Sequence, residues 1–200
     1  MRDESIKKLI IDSTKVLIKE KGDVTIKDIA DYAHVNIAAV NYHFSSKNNL
    51  VQIVISDIMS EFKGDILTKV KSYDQSAMDL EIFLTEILSL TYNFIFTNKG
   101  VIKYLFLNLN HQKDSAAQLF EVFFQDNEFL KVVYDSLSKY THTENPKELL
   151  IKYLMIFSSF MMPLFIELFE NKQSNYQIDM IHDKDYKDIF IKKLINLIKS

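Results

Sequence analysis

The chain has 200 residues, 48% of them hydrophobic and 26% charged, with a formal net charge of −3 at pH 7. That is enough apolar material for a core in one or two small domains, while three glycines and two prolines are too few for the many tight turns of an all-β fold and point to long helices. No cysteine is present, which excludes disulfides and thiolate chemistry. Residues 1–47 hold eight Lys/Arg against seven Asp/Glu, so the remainder of the chain carries −4, a weak asymmetry that predicts modest non-specific affinity for nucleic acid.

The first residues, MRDESIKKLIID, include acids and no long apolar core, unlike a signal peptide. Helix 1 is expected from about Glu4 to Lys21, with Ile6, Leu9, Ile10, Val16 and Leu17 as its buried face and Gly22 as its stop. Thr25 with Asp28 reads as a capping-box-like start of helix 2. Ile26, Ile29, Ala30 and Ala33 recur at helical spacing and bury one face. Ala33-His34-Val35-Asn36 breaks that pattern. Asn36 can cap a third helix over about residues 37–44, and Val35 can fill the angle between the two. Two short helices joined by such a turn form a helix-turn-helix.

On a wheel at 100° per residue, Val40 and Phe44 face the core. Ala38, Ala39 and Tyr42 lie opposite, flanked by Asn41 and His43, with Ile37 intermediate. Small outward residues let a helix approach base edges, and an alanine methyl can meet a thymine methyl. The Asn41 amide can pair with adenine, while Tyr42 and His43 can donate to phosphate. In Ser45-Ser46-Lys47 a serine can cap helix 4, whose free N–H groups attract anions. Lys47 is mildly unfavourable at that dipole end, which a phosphate partner would explain and plain solvation would also allow.

These pieces, in this order, resemble the N-terminal domain of TetR/AcrR-type bacterial transcriptional regulators over roughly residues 6–58. The matching residues are Thr25, Ile29-Ala30, Ala33-His34-Val35, Tyr42-His43-Phe44, and Ser46-Lys47 with Leu50. The chain departs from the pattern at His34, which replaces a turn glycine and calls for a left-handed backbone. Its Gly22–Thr25 link is about two residues short and lacks the usual aromatic. Ser13 and Thr14 stand for alanines, and Asn41 for a common tyrosine. The resemblance implies an all-α fold, with a three-helix DNA-binding domain at 1–48 and a helical effector-binding and dimerisation domain at 49–200, about nine helices in all. The DNA-facing set is then Thr25, Asn36, Ile37, Ala38, Ala39, Asn41, Tyr42, His43 and Lys47.

Helix 4 is expected from about Ser46 to Ser72, with Leu50, Val54, Ile58, Phe62 and Ile66 as its stripe and Gly64 marking a bend or a close contact. Ser76 with Asp79 opens helix 5, which ends before Gly100, and helix 6 covers about residues 101–109. Helix 7 runs from Ser115 to about Tyr140. Asn145-Pro146-Lys147-Glu148 is a strong start for helix 8, to about Asn171, with a kink at Pro163. The last helix covers about residues 184–199. The most apolar run, Leu154 to Ile166, is shorter than the roughly 20 residues of a bilayer span, so a cytoplasmic protein is expected.

Helix 8 carries two apolar stripes. Leu150, Leu154, Phe157, Met161, Leu164 and Leu168 form one, and Leu149, Tyr153, Ile156 and Phe160 the other. Such a helix needs two neighbours. One can be the same helix of a second copy, with Phe190, Leu194, Leu197 and Ile198 completing a four-helix interface. Dimers built this way are also what the resemblance implies. Tyr92, Phe96, Phe106, Phe120, Phe124, Tyr153, Phe157 and Met161 suit an apolar effector pocket or, equally, an ordinary core. Glu86, Asn93 and Glu167 could orient a ligand or face water. His111, His142 and His182 lack metal-ligand spacing, and no catalytic set or phosphate loop is present, so no metal, cofactor or enzyme activity is expected. The expected function is a DNA-binding regulator, a repressor that binds a palindromic operator as a homodimer and is released by a small, largely apolar effector. The alternative is a small-molecule-sequestering helical protein that does not read DNA, supported only by the weak basic charge.

Overall fold

The computed structural model describes residues 2–73, 79–107, 121–125, 127–169, 183 and 185–199. Phe120, Ser76, Ser115, His111 and His182, and the side chains of Phe106, Glu167 and Leu168, lie outside the described residues. Among the described residues the fold is all-α, as expected. Its helices are α1 (Arg2–Lys21), α2 (Ile26–Tyr32), α3 (Ile37–Phe44), α4 (Lys47–Lys71), α5 (Leu80–Thr97), α6 (Lys99–Leu107), a π-helical turn (Glu121–Gln125), α7 (Asn127–Thr141), α8 (Pro146–Phe169) and α9 (Tyr186–Lys199). They gather into two compact units. One holds residues 1–62 and 97–122, the other residues 63–96 and 123–200.

In the first unit α1 packs on α2, α3 and α6. Its buried face differs from the expected one. Ile10, Ser13, Thr14, Leu17 and Ile18 are buried, whereas Leu9 and Val16 are exposed and Ile6 is half-buried. A buried polar group must find a partner, and the Thr14 hydroxyl donates to the Ile10 carbonyl at 2.7 Å. Ser13 and Thr14 are thus part of the buried face of α1. The α4 stripe is as expected: Leu50, Val54, Ile58, Phe62 and Ile66 are all buried.

Gly22 ends α1 at φ 78°, a left-handed conformation suited to glycine. Gly100 lies inside α6 rather than between two helices, and it lets the two backbones touch. A Cβ on Gly100 would come within 2.2 Å of the Ile18 carbonyl oxygen and 2.6 Å of that of Lys19. Gly64 is different. It sits within α4, and a Cβ there would meet nothing within 4 Å, so no close contact explains it.

In the second unit α8 packs on α7 and α9. Of the helix expected over 115–140, the described residues form the π-helical turn and α7. Asp79 Oδ1 accepts from the Glu81 amide at 2.7 Å and Asn145 Oδ1 from that of Lys147 at 3.0 Å, which caps α5 and α8. Glu148 does not return to Asn145 directly. It accepts from the Thr143 hydroxyl, which in turn accepts from the Asn145 amide. Leu149, Tyr153, Phe160 and Leu164 are the buried stripe of α8. Leu164 therefore belongs to the inner face and not to the outer seam. By length and composition α5 and residues 146–166 of α8 could each cross a membrane, which corrects the shorter apolar run read from sequence. Here each buries a stripe inside its unit.

Candidate nucleic-acid interface

The helix-turn-helix is fixed by local hydrogen bonds. Thr25 Oγ1 accepts from the Asp28 amide at 3.1 Å and Asp28 Oδ2 accepts from the Thr25 amide at 2.9 Å, a complete capping box. The Thr25 hydroxyl also donates to Asp28 Oδ2 at 2.7 Å. Those bonds, the side-chain one first, hold the Asp28 carboxyl below its ordinary pKa of 3.8. The C-terminus of α2 is closed by His34, which has φ 53°. The Val35 amide reaches the Ala30 carbonyl at 3.0 Å and the His34 amide that of Asp31 at 3.3 Å. This is a Schellman closure with histidine where glycine is usual. Asn36 then caps α3 by accepting from the Ala38 amide at 2.9 Å.

Val40 and Phe44 anchor α3 in the core of its unit. Thr25, Asn36, Ile37, Ala38 and Asn41 are exposed, Ala39 is half-buried, and Tyr42 is 77% exposed. One helix face thus offers two methyl groups, an amide and a phenol to a partner. His43 differs from the rest of the set. Its side chain is only 7% exposed, its Nε2 lies 3.5 Å from Asp3 Oδ1, and its ring makes an edge contact with Tyr42 at 5.1 Å. Ser46 caps α4 by accepting from the Asn49 amide at 3.1 Å, and Asn49 Nδ2 donates to the Phe44 carbonyl, tying α4 to the end of α3. Lys47 Nζ donates to Asp23 Oδ1 at 3.2 Å. Sequence reasoning missed both carboxylates, Asp3 and Asp23. Each partner lies tens of residues away, and no local pattern signals the pairing.

The aromatic candidates fall into two groups within the second unit. Tyr92 stacks on Phe96 at 4.4 Å and meets Phe190 at 5.9 Å, with Phe160 at 5.2 Å from Phe190. Phe124 makes edge contacts with Tyr153 and Phe157, and the Tyr153 hydroxyl donates to the Phe123 carbonyl at 2.7 Å. Burial raises the Tyr153 pKa. A separate cleft of about 290 Å³ is lined by Glu81, Thr85, Asp188, Ile191, Lys192 and Ile195, none of them in the expected pocket. Glu86 holds Lys69 at 2.6 Å, and Asn93 accepts from Lys187 at 3.0 Å, so both are engaged within the chain. No cluster able to hold a metal ion is found among the described residues.

Of the expected dimer residues, Leu150, Leu154 and Leu197 are exposed and Phe190 is half-buried. Leu164, Leu194 and Ile198 are at most 3% exposed and lie in the chain's own core. Ile151, Met162 and Ile166 of α8 and Ile189 of α9 are further exposed apolar residues that sequence reasoning did not select.

Residues 10–54 match the family model of bacterial regulatory proteins, tetR family. A 75-residue stretch is 31% identical to the HTH-type transcriptional regulator BetI of Escherichia coli O45:K1 (strain S88 / ExPEC), covering 36% of this chain and 38% of BetI. The match therefore spans well under half of that relative. Among solved structures, a TetR-family transcriptional regulator from Mesorhizobium loti MAFF303099 superposes with a TM-score of 0.60 at 18% identity, covering 98% of each chain. A transcriptional regulator from Aquifex aeolicus VF5 gives 0.58 at 19% identity, covering 97% of this chain and 98% of its own. At those identities the likeness is one of fold, and the family signal lies in the helix-turn-helix. The likeness to the tetR family of bacterial regulatory proteins is thus carried by residues 10–54.

Proposed function

We propose that this chain is a sequence-specific DNA-binding regulator, a cytoplasmic homodimeric repressor released from a palindromic operator by a small, largely apolar effector. Residues 1–48 are its DNA reader, and residues 49–200 bind the effector and the second copy. The observation that carries the reading is the outward face of α3, with Ile37, Ala38, Asn41 and Tyr42 exposed beside a helix locked into its unit by Val40 and Phe44. In the dimer two such helices enter successive major grooves about 34–36 Å apart. Asn41 pairs with adenine, and Ala38 and Ala39 meet thymine methyls. Thr25, Tyr42 and Lys47 hold phosphates, while the covered His43 supports the Tyr42 ring. Leu150, Ile151, Leu154 and Met162 of α8, with Ile189 and Leu197 of α9, form the surface for the second copy. The Phe124–Tyr153–Phe157 and Tyr92–Phe96 groups line the effector site. An effector that binds one conformer better lowers DNA affinity through that difference.

The test is selection of DNA from a random-duplex pool by the purified chain. A palindromic consensus is expected, and its half-site spacing reports the dimer. Absence of enrichment at low salt would overturn the reading in favour of a sequestering protein.

A further inference from the structure

Lys47 opens α4 directly after α3, at a helix terminus where anions are favoured. Its ammonium is already engaged. The side chain is 32% exposed, and Nζ donates to Oδ1 of Asp23 at 3.2 Å, whose own side chain is 76% exposed. Asp23 lies in the short link between α1 and α2, and the link is pinned at both ends. Gly22 stands against Gly100 of α6 in backbone contact, and Thr25 is locked into its capping box. The charge of Asp23 also reaches α6, where, after burial, it contributes to raising the pKa of Tyr104. The backbone that carries Asp23 is therefore held at both ends, whereas the lysine is a flexible arm.

We infer that Asp23 is an internal competitor for DNA phosphate at Lys47 and thereby sets the DNA affinity of this domain; the inference rests on the DNA-binding reading above. On DNA the lysine exchanges its carboxylate for a phosphate. Asp23 is then left beside the duplex and recruits a cation, so one fewer counterion is released than Lys47 alone would release.

The experiment measures anisotropy of a labelled 30-base-pair duplex of random sequence with the full chain, from 50 to 200 mM salt. Four proteins are compared: wild type, Asp23→Asn, Lys47→Gln and the double variant. Circular dichroism confirms that each is folded. Asp23→Asn is expected to bind about fivefold more tightly at low salt, the upper end for an exposed ion pair. Its salt slope should steepen by about one. In the Lys47→Gln background the gain should fall below about twofold. An equal gain in both backgrounds would mean that Asp23 acts only as a nearby charge and would overturn the inference. A loss with Asp23→Asn would also overturn it, by making Asp23 an orienting partner of the lysine. Tight, salt-dependent wild-type binding in either case would leave the DNA-binding reading standing. No binding by any of the four would overturn both.

Discussion

Gly100→Ala tests the contact between α1 and α6. A methyl there would lie 2.2 Å from the Ile18 carbonyl oxygen, 2.6 Å from the Lys19 oxygen and 2.9 Å from the Gly22 nitrogen. A carbon–oxygen contact normally settles near 3.3 Å or beyond, so the backbones must separate by about 1 Å. All three obstacles are backbone atoms, and no side chain can turn aside. Overpacking costs up to about 3 kcal/mol, while alanine regains about 1 kcal/mol over glycine within a helix. The net expectation is a loss of about 2 kcal/mol, or roughly 4–8 °C in Tm for a chain of this size. Gly64→Ala supplies the control. It earns the same propensity gain in open space and should stabilise by about 1 kcal/mol. Urea unfolding followed at 222 nm measures both. If Gly100→Ala matched or exceeded wild type, α6 would not be in backbone contact with α1 and the reasoning would fail.

Thr25→Ala removes the α2 cap and should cost about 1 kcal/mol near neutral pH. The folded-state pKa of Asp28 is depressed, so its contribution is present above the ordinary carboxylate pKa and is lost as pH falls through the lower folded value. The gap between wild type and Thr25→Ala should therefore narrow in acid, and a gap independent of pH would contradict the capping box. Asn41→Ala should lose about fivefold or more on the selected operator, from about 1–3 kcal/mol of base discrimination, and little on scrambled DNA. Equal losses on both would remove its base-reading role. Leu154→Glu places a charge on the exposed side of α8 and should shift sedimentation towards the monomer with little change in helix content. Leu164→Ala empties a core position and should cost about 2–5 kcal/mol at any protein concentration. If the two variants exchanged these behaviours, the proposed interface would be on the wrong side of the helix.

The helix-turn-helix end of the chain is legible because its signals are local. Thr25 with Asp28, the breaker at His34, and Asn36 each specify a cap within four residues, and all three caps form. The α4 stripe is legible because its apolar residues repeat without rivals. On α1 the rule that apolar residues go inside misleads. Leu9 and Val16 lie outside while Ser13 and Thr14 lie inside, and the Thr14 hydroxyl, bonded to its own helix, can be buried at little cost. On α8 both sides are apolar, so periodicity finds two stripes but cannot rank them, and Leu164 fell to the wrong one. Gly100 reads as a stop because glycine often is one. Its real role depends on a helix some 80 positions earlier in the chain. The pairs Lys47–Asp23 and His43–Asp3 are hidden for the same reason.

Helix α3 belongs to one unit, and the apolar faces of α8 and α9 to the other. Under the proposed function, in a cell making both wild-type and variant copies, this separation has a genetic consequence. A copy damaged only in α3 can still recruit a healthy partner and spoil it, so an Asn41→Ala allele is expected to be dominant over wild type. A copy with a charge at Leu154 withdraws from pairing and leaves its healthy siblings alone, so that allele is expected to be recessive.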